Sequence, residues 1–187
     1  VTGTGGTNLF TPAEDGAMTA TASSWIAGLL HHAPATSLFA VPTITGYKRY
    51  RAHSLAPERI SWSHDGRGAL IRALCRSGDA ASRVENRGGE PAANPYLYLA
   101  SQMFAGLEGI TSGREAPPAA ADAYGDALPR LPSSLDEALA LARDDAFVRD
   151  RFGATFMECY AAIKQAELAS FAAHVGDWEH RAYFAAF

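Results

Sequence analysis

Apolar residues recur at helical spacing in several stretches of the chain. Met18, Ala22, Trp25, Ile26 and Leu29 predict a helix over 19–32, with Thr19 as its N-cap and Pro34 as its stop. Asn94-Pro95 is a helix start, since Asn caps and Pro suits the first helical position. The helix it opens runs to about 113, with Leu97, Ala100, Phe104, Leu107 and Ile110 as one stripe. Ser134-Leu135-Asp136-Glu137 fits a capping box ahead of Ala138, Leu139, Leu141 and Ala142. A short helix over 144–152 ends near Gly153. A long one follows over 154–174, with Phe156, Tyr160, Ile163, Leu168, Phe171 and Val175 inward. Gly176 breaks it, and Asp177 caps a last turn from Trp178 to Phe187. Trp25, Phe104, Phe156 and Phe171 are expected in the core.

Between the helices the pattern turns β-like. Residues 37–46, around Leu38, Phe39 and Val41, read as a short strand limited by Pro42. Residues 59–63, 68–75 and 82–88 read as further strands, the last two joined by the turn Ser77-Gly78-Asp79. Residues 1–18, 47–58 and 111–132 read as loops. The expected class is α+β: a small antiparallel sheet from 37–46, 59–75 and 82–88, covered by the helices at 19–32, 95–113 and 154–174.

Composition narrows this picture. With 187 residues, 48% hydrophobic and 19% charged, the chain has the material for one good core, and a single domain over 1–187 is expected. No apolar run reaches the length of a membrane span. Cys75 and Cys159, far apart and without metal spacing, point to a reducing, cytoplasmic setting. The start, Val-Thr-Gly-Thr-Gly-Gly, is glycine-rich and has no initiator Met, so a piece of a longer chain is expected. His31 and His32 are neighbours, face different ways on a helix and are read as structural or surface residues.

The chemistry concentrates in one segment. From Lys48 to Arg87 there are nine basic and four acidic residues, a balance of +5 that leaves −9 for the rest of a chain of net charge −4. Eight of the nine are Arg, the side chain suited to bidentate carboxylate and phosphate contacts. In an extended stretch, Arg83, Glu85 and Arg87 point the same way. A carboxylate between guanidiniums has two readings: a solvated row of ion pairs, or a place for a divalent cation beside an anionic substrate. A basic pocket on an acidic chain favours a small polyanion over a nucleic acid.

The words in this segment are similar to those of the glutamine synthetase family. They are Pro42-Thr43, Tyr47-Lys48-Arg49, Ala56-Pro57, Arg67 with Ala69 and Arg72, Arg83-Val84-Glu85-Asn86-Arg87 and Pro91-Ala92-Ala93-Asn94-Pro95-Tyr96. Trp25 to Leu30 with His32-Ala33 resembles the helix that precedes this block. The resemblance covers nearly the whole chain and the C-terminal part of the family's catalytic domain. It implies an ATP-dependent ligase that joins glutamate to ammonia or an organic amine through a γ-glutamyl phosphate. ATP and Mg²⁺ or Mn²⁺ would be its cofactors. By resemblance, Glu85 is a metal ligand and Arg49 and Arg87 contact glutamate. Arg67 and Arg72 lie near the ATP phosphates and the transferring phosphoryl, and Arg83 lies on the nucleotide side.

Three positions depart from the family's pattern. Leu55 stands where ammonia-using members carry a flap Glu, which implies a bulkier amine or weaker use of ammonia. Gly66 stands where Asn often precedes the Arg. Tyr124 lies where some bacterial members carry an adenylylated Tyr, in surroundings that do not match. His53 would either shape an acceptor pocket or be a solvated loop residue. Asp177-Trp178-Glu179 resembles the amine-ligase branch.

Two rival readings remain at this point. One is a catalytically inactive structural or nucleotide-binding relative, against which the retained Arg and Glu set argues. The other is an Arg-rich nucleic-acid binder, which the net charge and the lack of interleaved aromatics argue against. Neither nucleic acid nor membrane is expected as a partner, and a homo-oligomeric ring is expected of the full-length protein. The resemblance also implies that the other metal carboxylates and a His-x-His strand lie upstream, so the 187 residues alone are expected to be inactive.

Overall fold

Thr19 caps the first helix as its sequence demands: its Oγ1 accepts from the Ala22 N–H at 3.1 Å. In the computed structural model, which describes residues 1–51, 54 and 56–186, this helix (α1) spans Ala20–Ala40. It therefore runs through Pro34 and takes in the start of the segment read as a strand over 37–46. The rest of that segment leads into a 3-10 turn, Thr45–Arg49. The proline removes one N–H but does not end the helix, because α1 is buried on almost every side from Ile26 to Ala40. Just after it, the hydroxyls of Thr36 and Ser37 donate to the His32 and Ala33 carbonyls at 2.8 and 2.7 Å.

Three short strands follow: β1 (Trp62–His64), β2 (Ile71–Leu74) and β3 (Arg83–Asn86), in the spatial order β1-β2-β3. β2 and β3 pair antiparallel, as predicted, across the turn containing Gly78 at φ 69°. β1 and β2 pair parallel, so the sheet is mixed rather than antiparallel. A strand this short makes that possible. The chain needs to return only about 7 Å, at roughly 3.3 Å per residue, and residues 65–70 span it easily. The α+β class stands.

The helices beyond the sheet are α2 (Pro95–Thr111), α3 (Leu135–Asp144), α4 (Ala146–Phe152), α5 (Ala154–Ala172) and α6 (Asp177–Tyr183). Asn94 caps α2 as predicted, its Oδ1 accepting from the Tyr96 N–H at 3.0 Å. Ser134 caps α3 by accepting from the Glu137 N–H at 3.1 Å. Glu137, however, reaches back to the N–H and hydroxyl of Ser133, one residue beyond the expected reciprocal bond.

One half of α1 packs on the sheet with Phe10, Trp62, Leu70, Ile71 and Ala105. Its other half packs against Leu135, Leu139, Val148 and Met157 from α3, α4 and α5. Two predicted faces are corrected. α2 buries Ser101, Ala105, Gly106 and Gly109, its small side chains, while Leu107 is exposed. The reason is close approach to α1: a methyl on Gly28 would overlap the Ala105 carbonyl, and one on Gly109 would overlap the Ser24 carbonyl. On α5 the buried residues are Met157 and Ala161, whereas Ile163 and Phe171 are exposed, as is Val175 beyond its end. Trp25, Phe104 and Phe156 are half-buried against the core, the Phe104 ring standing edge-on to Phe152.

Of the two readings the sequence left for His32, structural or surface, the structure takes the first: it is buried, and it also couples elements. It stacks on Phe147 with ring centroids 3.6 Å apart, and its Nε2 lies 3.1 Å from Glu108 Oε2, to which the Arg114 Nε also donates at 3.0 Å. Burial pushes the His32 pKa below its ordinary 6.5, outweighing the carboxylate beside it. Burial would raise Glu108, but hydrogen bonds from Arg114 and His32 together hold it below 4.5.

Two predictions follow from this packing. Gly28→Val forces α1 and α2 apart and is expected to cost about 1–3 kcal/mol in equilibrium unfolding, with wild-type stability in the variant overturning the close contact. The second concerns pH. A His with a depressed folded pKa binds fewer protons folded than unfolded, so stability falls as pH drops below about 6.5. Thermal melts between pH 7 and 5 are expected to show this decline and to show it flattened in His32→Gln; parallel slopes would exclude the histidine as its source.

Candidate active site

The register of the sheet decides which charges meet. β2 and β3 align Arg72 directly opposite Glu85, so both side chains stand on one face. Arg72 Nη1 lies 3.4 Å from one Glu85 oxygen, and Arg87 Nη1 donates to the other at 2.8 Å. The carboxylate between two guanidiniums is therefore present, but Arg72 takes the place expected of Arg83. Arg83 is exposed at the start of β3 and turns its Nη1 to the Ala81 carbonyl, 3.3 Å away.

The row continues across the sheet. Arg72 Nε donates to Asp65 Oδ1 at 2.9 Å, with its Nη2 on the same oxygen, and Arg76 Nη2 lies 3.4 Å from the other. Arg87, Glu85, Arg72, Asp65 and Arg76 thus alternate in sign. The Arg72 hydrogen bond holds the Asp65 carboxyl below the usual carboxylate range. Sequence reading missed Asp65. Its one local signal is the following glycine, which marks a turn, and Asp65 itself sits at φ 54°, a region Asp tolerates better than most residues.

Arg67 offers its carbonyl to Arg87 Nε at 2.9 Å, and its side chain is exposed. Gly66 is explained by packing, because a side chain there would run into the Ser63 hydroxyl. Tyr124 leans on the same loop, its ring 3.0 Å from where a Cβ on Gly68 would stand. His53 and Leu55 lie outside the described residues.

Arg49 reaches the site from the 3-10 turn. Its Nη2 donates to the Gly88 carbonyl at 2.5 Å, and its guanidinium sits 5.6 Å from the centre of the Tyr50 ring. Its buried Nε has no hydrogen-bond partner among the described residues. What holds the turn there is Glu90, which lies between the two motif words Arg83–Arg87 and Pro91–Tyr96. Its carboxylate accepts from the Thr43 N–H at 3.2 Å and the Thr43 hydroxyl at 2.8 Å, and its own N–H donates to the Ala40 carbonyl at 2.9 Å. Gly46 packs so tightly on that carboxylate that no side chain fits. The result is a cleft of about 550 Å³ between Lys48, Arg49 and Arg51 on one wall and Glu85, Asn86 and Arg87 on the other.

The cleft is lined by cationic side chains with one carboxylate among them. Mg²⁺ takes six oxygen ligands, which carboxylates, substrate phosphates and water share. Among the described residues no three His, Cys, Asp or Glu side chains are placed to share a metal ion. Glu85 therefore fits as one ligand of a divalent cation and not as a complete site. No helix among the described residues is long and apolar enough to cross a membrane.

Removing the Glu90 anchor tests this construction. Glu90→Ala is expected to lose about 1–3 kcal/mol of stability, since it strips partners from a half-buried N–H and hydroxyl. It should also speed hydrogen exchange at the Thr43 amide. Unchanged protection at Thr43 would mean that the turn is held by other contacts.

Comparison with known proteins gives the family. A family described as the glutamine synthetase catalytic domain matches residues 1–183. A gamma-glutamylanilide synthase from Acinetobacter sp. is 40% identical over 189 residues, covering 95% of this chain and 38% of that protein. A glutamine synthetase from Halobacterium salinarum is 34% identical, covering 97% of this chain and 42% of its own length. Among solved structures, GmaS without ligand superposes with a TM-score of 0.85 at 27% identity, over 97% of this chain and 42% of its own. The chain thus spans about two-fifths of the length of the proteins it matches. On the match to residues 1–183, the chain belongs to the glutamine synthetase family, within its catalytic domain.

Proposed function

We propose that the protein containing this chain is an ATP-dependent ligase that joins glutamate to ammonia or an organic amine, and that residues 1–187 form the C-terminal portion of its catalytic domain. The observation that carries this reading is Glu85 held between Arg72 and Arg87 at the edge of a cleft that Arg49 closes from the other side. The family is ATP- and divalent-metal-dependent in general. Relatives named for gamma-glutamylanilide and glutamine synthesis support a glutamate donor and leave the acceptor as either an amine or ammonia.

The chemistry assigns work to each side chain. Amide formation from a carboxylate in water is uphill, so the γ-carboxylate must first take a phosphoryl group. A carboxylate oxygen attacks the γ-phosphorus and ADP leaves; the amine nitrogen then attacks the acyl carbon, phosphate leaves and the nitrogen gives up a proton. Arg87 and Arg49 would hold the carboxylates of glutamate by paired N–H donors. Arg72 would face the charge that builds on the transferring phosphoryl, where fixed guanidinium donors lower the barrier. Glu85 would supply one ligand to a Mg²⁺ or Mn²⁺ ion, which neutralises phosphate charge when bound. Arg67 would act near the phosphates through its exposed side chain, and Arg83 on the nucleotide side. A cytoplasmic setting and a ring of identical subunits belong to the same reading.

In the intact protein, Glu85→Ala is expected to lower glutamate-dependent phosphate release from ATP by at least about 100-fold, the scale of removing a transition-state partner. Arg87→Ala is expected to act mainly on the KM for glutamate. Full turnover in Glu85→Ala, assayed with Mg²⁺ and with ammonium or an organic amine, would overturn the reading.

A further inference from the structure

Arg49 is fixed in the cleft by a carbonyl that its own segment holds poorly. Its Nη2 donates to the Gly88 carbonyl at 2.5 Å, and Gly88 is followed by a second glycine. Two glycines in a row have a wide choice of backbone angles, so this peptide alone would not hold a guanidinium in one place. What holds the peptide comes from α2. A Cβ on Gly89 would stand 2.8 Å from Tyr98 Cζ and 3.0 Å from the Tyr98 hydroxyl, so the ring fills the space that a side chain at 89 would take. One turn further along α2, Gln102 Oε1 accepts from Asn86 Nδ2 at 2.5 Å. The other end of the Asn86 amide accepts from the Gly88 N–H at 2.8 Å.

Tyr98 and Gln102 are four residues apart and so are neighbours on one face of the helix. That helix is a firm reference, because it lies against α1 too closely for a Cβ on Gly28 or Gly109. Both ends of the Gly88–Gly89 unit are thus set by α2: Gly89 against the Tyr98 ring, Gly88 through Asn86 and Gln102. Tyr98 also packs on the core cluster that Tyr50 joins, and the Tyr50 ring lies 5.6 Å from the Arg49 guanidinium. Neither Tyr98 nor Gln102 lines the cleft itself.

We propose that Tyr98 and Gln102 are positioning residues for glutamate binding: they hold the exit of β3 so that the Gly88 carbonyl keeps Arg49 aimed into the cleft. This rests on the ligase reading above, in which Arg49 holds a carboxylate of glutamate. Their effect is confined to that substrate, since Arg72 and Glu85 are held by the sheet register and not by α2.

The test is glutamate-dependent phosphate release from ATP by the intact protein. Tyr98→Leu is expected to raise the KM for glutamate about tenfold, with kcat and the KM for ATP within about twofold of wild type. Tyr98→Phe, which keeps the ring, is expected to restore the wild-type KM. Where Tyr98→Leu does not fold, Gln102→Met, which keeps the length and removes the acceptor, is read in its place with the same expectation. An unchanged KM for glutamate, a loss that falls on kcat instead, or a Tyr98→Phe variant as impaired as Tyr98→Leu would overturn the proposal and leave the ligase reading standing. Absence of glutamate-dependent release in the wild type would overturn both.

Discussion

The two hydrogen bonds that Glu90 accepts from Thr43 fix the relation between the end of α1 and the exit of β3. Everything polar in the cleft depends on that relation. α1 delivers the 3-10 turn with Arg49, and β3 delivers Glu85 and Arg87; the Glu90 N–H on the Ala40 carbonyl and Arg49 on the Gly88 carbonyl tie the two walls further. The anchor works because both sides are rigid. α1 is clamped along its length by the sheet, α2 and the α3–α5 layer. The segment after β3 is held by Asn86, whose Oδ1 accepts from the Gly88 N–H at 2.8 Å and whose amide donates to Gln102 at 2.5 Å.

Local signals in the sequence were reliable where the physics is local. Thr19, Asn94 and Ser134 cap their helices because a side-chain oxygen one turn away satisfies a backbone donor whatever the rest of the chain does. Pro34 and residues 37–46 were misread because burial overrode local preference. An apolar run flanked by proline fits a strand or a fully buried helix equally well until its neighbours are known. The faces of α2 and α5 were misread for a related reason. Large apolar residues mark a buried stripe only when the partner is far enough away to admit them, and α1 approaches α2 closely enough to require glycine at 28 and 109.

The site divides along the same line. Alternation in β3 was enough to put Glu85 and Arg87 on one face. The partner on the far side, Arg72, follows from the register between two strands, which no single strand encodes. Asp65 and Glu90 were invisible as site residues for the same reason: each acts through a residue distant in sequence or across a turn, and acidic residues beside glycine read as turn formers. The family resemblance named Arg49, Arg72, Glu85 and Arg87, which the structure brings around one cleft or its edge. It could not say that Arg67 offers its carbonyl to Arg87, or that Arg83 stands apart from Glu85.

The alternating row from Arg87 to Arg76 has a consequence for how ligands would influence each other. Glu85 pairs with both of its guanidinium neighbours, Arg72 and Arg87. A divalent ion that took this carboxylate would weaken its hold on Arg72 and Arg87 and turn two self-neutralised cations into receptors for anions. Binding free energies are reciprocal, so an anion that drew those arginines away would leave Glu85 a better cation ligand by the same factor. The row would thus make metal and anionic substrate mutually reinforcing ligands without any movement of the backbone.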